Sequence, residues 1–211
     1  CIRDRGYSTR RPAALRRWMM RAGLVIAGGR SVRMGVDKRG LLLDGVPLLE
    51  RTVQAVASVC DRVIVVGSRP AWWRDDRVHF VQENPAGSGP AAAIAAGVDL
   101  LADSLIHPDE VMVLAGDLAY PWRVVDLLTS SVTVLSGRAL VDIDGYTQWL
   151  ASVLPFPVIR GCVGAQSSWA DMSVRSLFDS VDVELVPVAE ATTDIDSPAQ
   201  AQAFGITVGP T

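Results

Sequence analysis

Residues 22–38 read Ala-Gly-Leu-Val-Ile-Ala-Gly-Gly-Arg-Ser-Val-Arg-Met-Gly-Val-Asp-Lys, a stretch equipped to hold phosphates. Leu24, Val25 and Ile26 form a short apolar run, the pattern of a strand buried on both faces. Gly28 and Gly29 follow at once, where the chain can turn with no Cβ in the way. Arg33 and Lys38 then supply positive charge. A buried strand feeding such a turn offers backbone N–H groups to phosphate oxygens, and the cations neutralise the charge. The pattern is not a P-loop, because Gly35 is followed by Val36, Asp37 and Lys38. It is not the dinucleotide G-x-G-x-x-G either, because Gly28 and Gly29 are adjacent.

Three further stretches carry polar groups at structurally telling places. Glu83-Asn84-Pro85-Ala86-Gly87-Ser88-Gly89-Pro90 is a turn-rich loop ahead of an alanine-rich helix expected from Pro90 to about Ala102. The start of a helix favours an anion or a polar base edge. Glu83 by itself reads as a solvated carboxylate at a strand end. Asp117 follows a strand expected over 110–115, with the apolar run Val111 to Leu114. A carboxylate just past the C-terminal end of a central strand sits where open α/β sheets bind ligands. One carboxylate plus nucleotide phosphates is the usual way to hold Mg²⁺, so a metal role is expected for Asp117, against a plain cap for a helix from Pro121. Asp194 and Asp196 stand two apart, which on a strand puts both on one face. Ser197 and Pro198 after them suit a helix start running to about Phe204.

Read together, these segments resemble the molybdenum cofactor guanylyltransferase family of MobA-like NTP transferases, from about Met20 to Phe204. The pattern Ala-Gly-Gly-x-Ser-x-Arg-Met-Gly-x-Asp-Lys, residues 27–38, is similar to that family's signature loop and brings in Ala27, Gly28, Gly29, Ser31, Arg33 and Lys38 as nucleotide-binding residues. The loop from Glu83 to Pro90 resembles the family's acidic-x-x-Pro-Gly-x-Gly-Pro element, which implies that Glu83, where Asp is usual, reads the guanine edge beside Gly89. By the same resemblance Asp117 is a magnesium ligand, followed here by Leu118, Ala119 and Tyr120 before Pro121. Asp-x-Asp-Ser-Pro implies a second metal ligand, with Asp196 favoured and Asp194 in support. Asp144-Gly145-Tyr146-Thr147-Gln148-Trp149-Leu150 resembles the family's Asp-Gly-Arg-x-Gln-Pro-Leu motif at the acceptor pocket. Asp144 and Gln148 are therefore acceptor-binding candidates; Asp144 also suits a plain turn. The resemblance implies Mg²⁺-dependent transfer of GMP from GTP to a phosphorylated acceptor, molybdopterin, with release of pyrophosphate. Arg33, Lys38 and Asp117 would carry the chemistry. A related enzyme using CTP or a sugar phosphate stays open, as does a non-catalytic nucleotide-binding regulator.

The elements that must position these residues alternate. Apolar spacing from Leu48 to Val59 predicts a helix to about Ser58 after an Asp44-Gly45 turn and Pro47. Strands are expected over 62–66 and 78–81. Later, 139–143 and 147–154 flank Asp144-Gly145 as a hairpin, 157–163 and 173–178 read as helices, and 183–188 as a last strand. The fold class is α/β: a doubly wound, mostly parallel sheet of the Rossmann-like nucleotidyltransferase kind with a β-hairpin insertion. Trp72-Trp73 suits base stacking, but Asp75 and Asp76 beside it would repel phosphates, so the pair is expected to pack a loop.

Composition sets outer bounds. The 211 residues are 49% hydrophobic and allow one core. No apolar run reaches the roughly 18 residues of a membrane span. Cys1, Cys60 and Cys162 form no C-x-x-C pair, which points to a reducing, cytoplasmic setting. His79 and His107 show no ligand spacing. Residues 1–18 hold six arginines against Asp4 and are expected to be a disordered basic extension, or a targeting or anion-binding tail, ahead of a domain over 19–211. The rest carries 14 basic and 22 acidic side chains, a poor surface for nucleic acid. The expected partners are GTP and a phosphorylated small molecule, with neither nucleic acid nor membrane. Transient contacts with cofactor-pathway enzymes or target apoenzymes complete the expectation.

Overall fold

The computed structural model describes residues 19–28, 40–130, 136–188 and 205–208. In chain order its strands are β1 (Arg21–Ile26), β2 (Leu41–Leu43), β3 (Val46–Pro47), β4 (Arg62–Val66), β5 (His79–Val81), β6 (Glu110–Ala115), β7 (Arg138–Val141), β8 (Thr147–Pro155), β9 (Glu184–Pro187) and β10 (Thr207–Val208). Its helices are α1 (Leu48–Ala57), α2 (Pro90–Ala102), α3 (Pro121–Thr129), α4 (Phe156–Val163) and α5 (Val174–Leu177).

The main sheet has the order β5-β4-β1-β6-β8-β7-β9. β1 lies at its middle, parallel to β4 on one side and β6 on the other. β5 extends the parallel run beyond β4. β8 is antiparallel to both β6 and β7, and β9 is parallel to β7, so β8 alone runs against the rest. The hairpin expected around Asp144-Gly145 is therefore no appendage: both of its arms are hydrogen-bonded into the main sheet.

Each strand of the centre is buried on both faces because helices cover both. Val25, Val65, Met112 and Leu114 pack with α1 and α3 through Leu49, Val53, Val56, Val124 and Leu128. Leu24, Ile26, Ile64 and Val113 face the other way, toward Ala91, Ile94 and Val98 of α2 and Ile159 of α4. This is the continuous apolar run that a parallel strand needs. Two glycines bring helices close. A Cβ at Gly23 would meet Val56 Cγ1 at 2.1 Å, and one at Gly97 would meet Leu24 Cδ2 at 2.9 Å.

Two features go beyond the sequence expectations. Leu41 to Pro47 forms a β2–β3 hairpin, closed by Asp44 and Gly45 at φ 54° and 79°. Positive φ at both positions matches the right-handed twist of the flanking strands. The strand expected last, β9, is followed by β10, which pairs antiparallel with β2 in a separate three-stranded sheet. These strands are two or three residues long, too short for an alternating pattern to show in the sequence.

Candidate functional site

β1, β4, β5 and β6 all end at the same edge of the sheet, and the site is built there. Ala27 continues β1 by donating its N–H to the Val66 carbonyl at 2.9 Å. Gly116 donates to the Ile26 carbonyl at 2.9 Å, and Gly67 to the Val81 carbonyl at 2.7 Å. A Cβ on Gly67 would lie 3.0 Å from the Ala27 carbonyl, and one on Gly116 would lie 3.2 Å from Ala27 Cβ. Side chains at these two positions would push the β1 exit out of place. Backbone thus approaches the first loop from both neighbouring strands, with nothing bulky between. The sequence reading missed Gly67 and Gly116, although each directly follows a strand as Gly28 nearly does.

Glu83 stands two residues past β5 and is buried, with 5% of its surface exposed. Its Oε1 accepts the Gly87 N–H at 2.8 Å. Its Oε2 is buried and has no hydrogen-bond partner among the described residues. A Cβ on Gly28 would lie 3.5 Å from Oε1 and 3.7 Å from Oε2. The loop behind it is tied down. Ser88 Oγ donates to the Pro85 carbonyl at 2.6 Å, and the Asp171 N–H reaches the Ser88 carbonyl at 2.8 Å. Gly89, at φ 92°, is the N-cap of α2 and makes no side-chain cap bond. Of the two readings of Glu83, the solvated strand-end carboxylate does not fit this burial. An acceptor oxygen held out of water without a donor costs about 1–3 kcal/mol or more.

Asp117 lies half-buried one residue beyond Gly116. It does not cap α3, whose N-cap is Tyr120 with Pro121 in the first turn. Among the described residues no group of three or more His, Cys, Asp or Glu side chains gathers as a metal cage. One carboxylate at this edge fits a hard cation that takes its remaining oxygens from phosphates and water.

The β7–β8 hairpin reaches over the same edge. Leu114, near the end of β6, pairs with Ala151, so Thr147 to Leu150 run past it. The turn is organised by Asp142, which sequence reading did not single out. Its Oδ1 accepts the N–H groups of Asp144 at 3.0 Å and Tyr146 at 2.8 Å, and its Oδ2 accepts Gln148 Nε2 at 2.6 Å. The signal was the Asp-x-Asp-Gly order, since an aspartate commonly bonds the backbone two residues on. Asp144 is exposed, and Gln148 Nε2 also reaches the Tyr146 carbonyl at 3.5 Å, which leaves its amide oxygen for another group. Trp149 packs on Phe178, ring centroids 5.0 Å apart.

Ala27, Gly28, Glu83, Gly89 and Asp117 thus share one edge, with Asp144 and Gln148 on the hairpin that overhangs it. Gly29, Ser31, Arg33, Lys38, Asp194 and Asp196 lie outside the described residues, as does the basic stretch 1–18. The chain passes into both of the segments that hold the first six from this edge, after Gly28 and after Val188.

Comparison with known proteins gives the family and the fold. The profile of the MobA-like NTP transferase domain matches residues 23–169. A probable molybdenum cofactor guanylyltransferase of Chloroflexus aggregans is 35% identical over 103 residues, covering 47% of this chain and 47% of that one. The matched stretch therefore spans about half the length of that relative. One of the same description from Mycobacterium avium is 26% identical over 193 residues, covering 88% of this chain and 97% of the other. Among solved structures, the inositol-1-phosphate CTP transferase from T. maritima superposes with a TM-score of 0.66 at 16% identity, covering 89% and 94% of the two chains. At that identity the likeness concerns the fold. No helix among the described residues is long and apolar enough to cross a membrane.

Proposed function

This chain belongs to the MobA-like NTP transferase family, and we propose that it transfers GMP from GTP to a phosphorylated acceptor, molybdopterin, with release of pyrophosphate. The observation that carries the reading is the buried Glu83 carboxylate with its Oε2 unpartnered beside Gly28. Guanine presents two adjacent donors, N1–H and the exocyclic amine, and a carboxylate is the side chain that accepts from both. Cytosine and adenine each set an acceptor beside their amine, which a carboxylate repels. The guanylyltransferase descriptions of the Chloroflexus and Mycobacterium relatives support the same base and acceptor.

The triphosphate would run from Gly28 along the first loop, where close-packed glycine backbone at Gly67 and Gly116 leaves room. Arg33 and Lys38, from the segment after Gly28, would hold its charge as it builds up between the α- and β-phosphorus. An acceptor phosphate is already anionic, so the chain has no need of a nucleophilic side chain or a general base. Its oxygen forms the new bond to the α-phosphorus as the bond to the bridging oxygen of pyrophosphate breaks. Catalysis is then placement plus neutralisation. Asp117, with Asp196 as second ligand, would hold Mg²⁺, which supplies Lewis-acid stabilisation of the phosphate oxygens.

The test is thermal melting with Mg²⁺ and each of GTP, CTP, ATP and UTP. A ligand at 100 times its Kd stabilises by about 2.7 kcal/mol, a shift of several degrees for a chain of this size. A shift with GTP alone is expected, followed by pyrophosphate release on addition of molybdopterin. A shift with CTP instead would overturn the base assignment.

A further inference from the structure

The Trp72-Trp73 pair is not used by the site above. It lies in the loop between β4 and β5, and with α1 it walls a groove of about 430 Å³. Glu50, Val53 and Gln54 line the helix side, and Trp72, Arg74 and Arg77 the loop side. The groove sits on the α1 face of the sheet, where Trp73 and Val53 share one core layer. The Glu83 to Gly89 loop leads instead into α2 on the opposite face.

The sequence-based objection to stacking here was repulsion from Asp75 and Asp76. Both carboxylates are paired. Asp75 takes Nε and Nη2 of Arg77 at 3.0 and 2.9 Å, and Asp76 takes Nη2 of Arg69 at 2.5 Å. Arg74 is anchored by Nη1 to the Ala71 carbonyl at 2.6 Å, which holds a guanidinium at the rim that pairs with no carboxylate among the described residues. Trp73 is a structural member: it is buried, spends its indole N–H on the Asp75 carbonyl at 2.8 Å and packs edge-on against Phe80. Trp72 is only half-buried, so its indole is the ring left to receive a ligand. Across from it, Gln54 Nε2 donates to Glu50 Oε1 at 3.1 Å. That bond leaves Glu50 Oε2 and Gln54 Oε1 as two acceptors one helical turn apart.

An aromatic face, two acceptors and an anchored cation make a defined chemical complement. The geometry points to a second binding site, for a planar heteroaromatic ring that carries N–H donors on one edge and an anionic substituent, the class of guanine nucleotides and acidic pterins. The ring stacks on Trp72, its donors meet Glu50 and Gln54, and its acid group meets Arg74. The site does not depend on the catalytic reading, because it shares none of the residues named there.

The experiment follows tryptophan indole N–H signals of the full chain by ¹H–¹⁵N NMR, with Trp72 assigned from Trp72→Phe, and titrates GMP, 6-carboxypterin and ribose 5-phosphate. The Trp72 signal should move with GMP or 6-carboxypterin and stay still with ribose 5-phosphate. Arg74→Ala should weaken GMP at least tenfold and leave guanosine unchanged. Trp72→Ala should weaken both ring probes tenfold or more, with Trp72→Phe near wild type and the other indole signals in place as the check on folding. The same titration in Glu83→Ala should be unchanged, which separates this groove from the catalytic edge. A Trp72 signal unmoved by either ring probe at millimolar concentration would overturn the proposal. So would a response to ribose 5-phosphate equal to that of GMP, or a response lost in Glu83→Ala.

Discussion

Gly28 and Glu83 face each other at the mouth of the central strands: a Cβ on residue 28 would rest 3.5 Å from one carboxylate oxygen and 3.7 Å from the other. That is ordinary contact, and Gly28 is not among the positive-φ glycines, so Gly28→Ala is expected to fold. The added methyl nevertheless sits against both carboxylate oxygens. Thermal melting without ligand should stay within a few degrees of wild type, while the GTP-induced shift is lost. A retained shift would mean that the nucleotide lies elsewhere.

Glu83→Gln tests what the carboxylate reads. The Gln side-chain carbonyl can still accept the Gly87 N–H, so the loop is kept. The other position becomes an NH₂ donor, which opposes the donors of guanine. GTP affinity is expected to fall more than tenfold, about 1.4 kcal/mol or more, measured by titration calorimetry. Glu83→Asp restores the residue usual in the family, and its GTP affinity should stay far closer to wild type than that of the Gln variant.

Asp117→Asn removes a negative charge at nearly constant shape. If Asp117 holds the cation, Mg²⁺-dependent pyrophosphate release should drop by at least 10², since losing such a ligand forfeits several kcal/mol of charge stabilisation. Nucleotide binding without Mg²⁺ should change little. Turnover at the wild-type rate would remove Asp117 from the chemistry.

The Gly23–Val56 contact fixes how closely α1 sits on β1. A methyl at Gly23 would lie 2.1 Å from Val56 Cγ1, so Gly23→Ala must displace helix or strand. Overpacking of this kind costs about 1–3 kcal/mol. Val56→Ala alone opens a cavity and also destabilises. In the double variant the two errors offset, and urea unfolding should show it more stable than the sum of the single changes, a coupling expected only of touching residues.

The central β1-β4-β6 core and its helices were legible because burial on both faces leaves unbroken apolar runs, as in Val111 to Leu114, and because Pro47, Pro90 and Pro121 punctuate the helix starts. Small elements were not. β10 is held by pairing with a distant partner, and Thr207 opposite Leu42 leaves no local trace in either stretch, while β2 and β3 pair across one turn but are only three and two residues long. At the site, the positions of Glu83 and Asp117 just past the ends of β5 and β6 were readable from the sequence. The ones that make room, Gly67 and Gly116, were not, because their importance lies in the chain passing beside them. Asp142 was overlooked for a related reason. Its three hydrogen bonds form only once the hairpin closes, whereas Asp144 stands in the more obvious Asp-Gly pair.

Cys60 yields a pH dependence. Burial is the chief cause that pushes its thiol up to about 12; Asp61 and Glu110 add to the rise and Arg21 opposes it. In the unfolded chain the thiol titrates near 8.5. Between those values the unfolded chain loses the proton while the native one keeps it, so more protons are bound in the native state. Stability from this group is therefore complete below about pH 8.5 and is lost as pH rises toward 12. Other groups titrate in the same range, so the comparison is with Cys60→Ala. Urea midpoints measured from pH 8 to 10.5 should fall more steeply in wild type than in the variant. Iodoacetamide at pH 8.5 should label Cys60 at a small fraction of its rate in urea. Parallel pH profiles for the two proteins, or fast native labelling, would show that the thiol is not held neutral by burial.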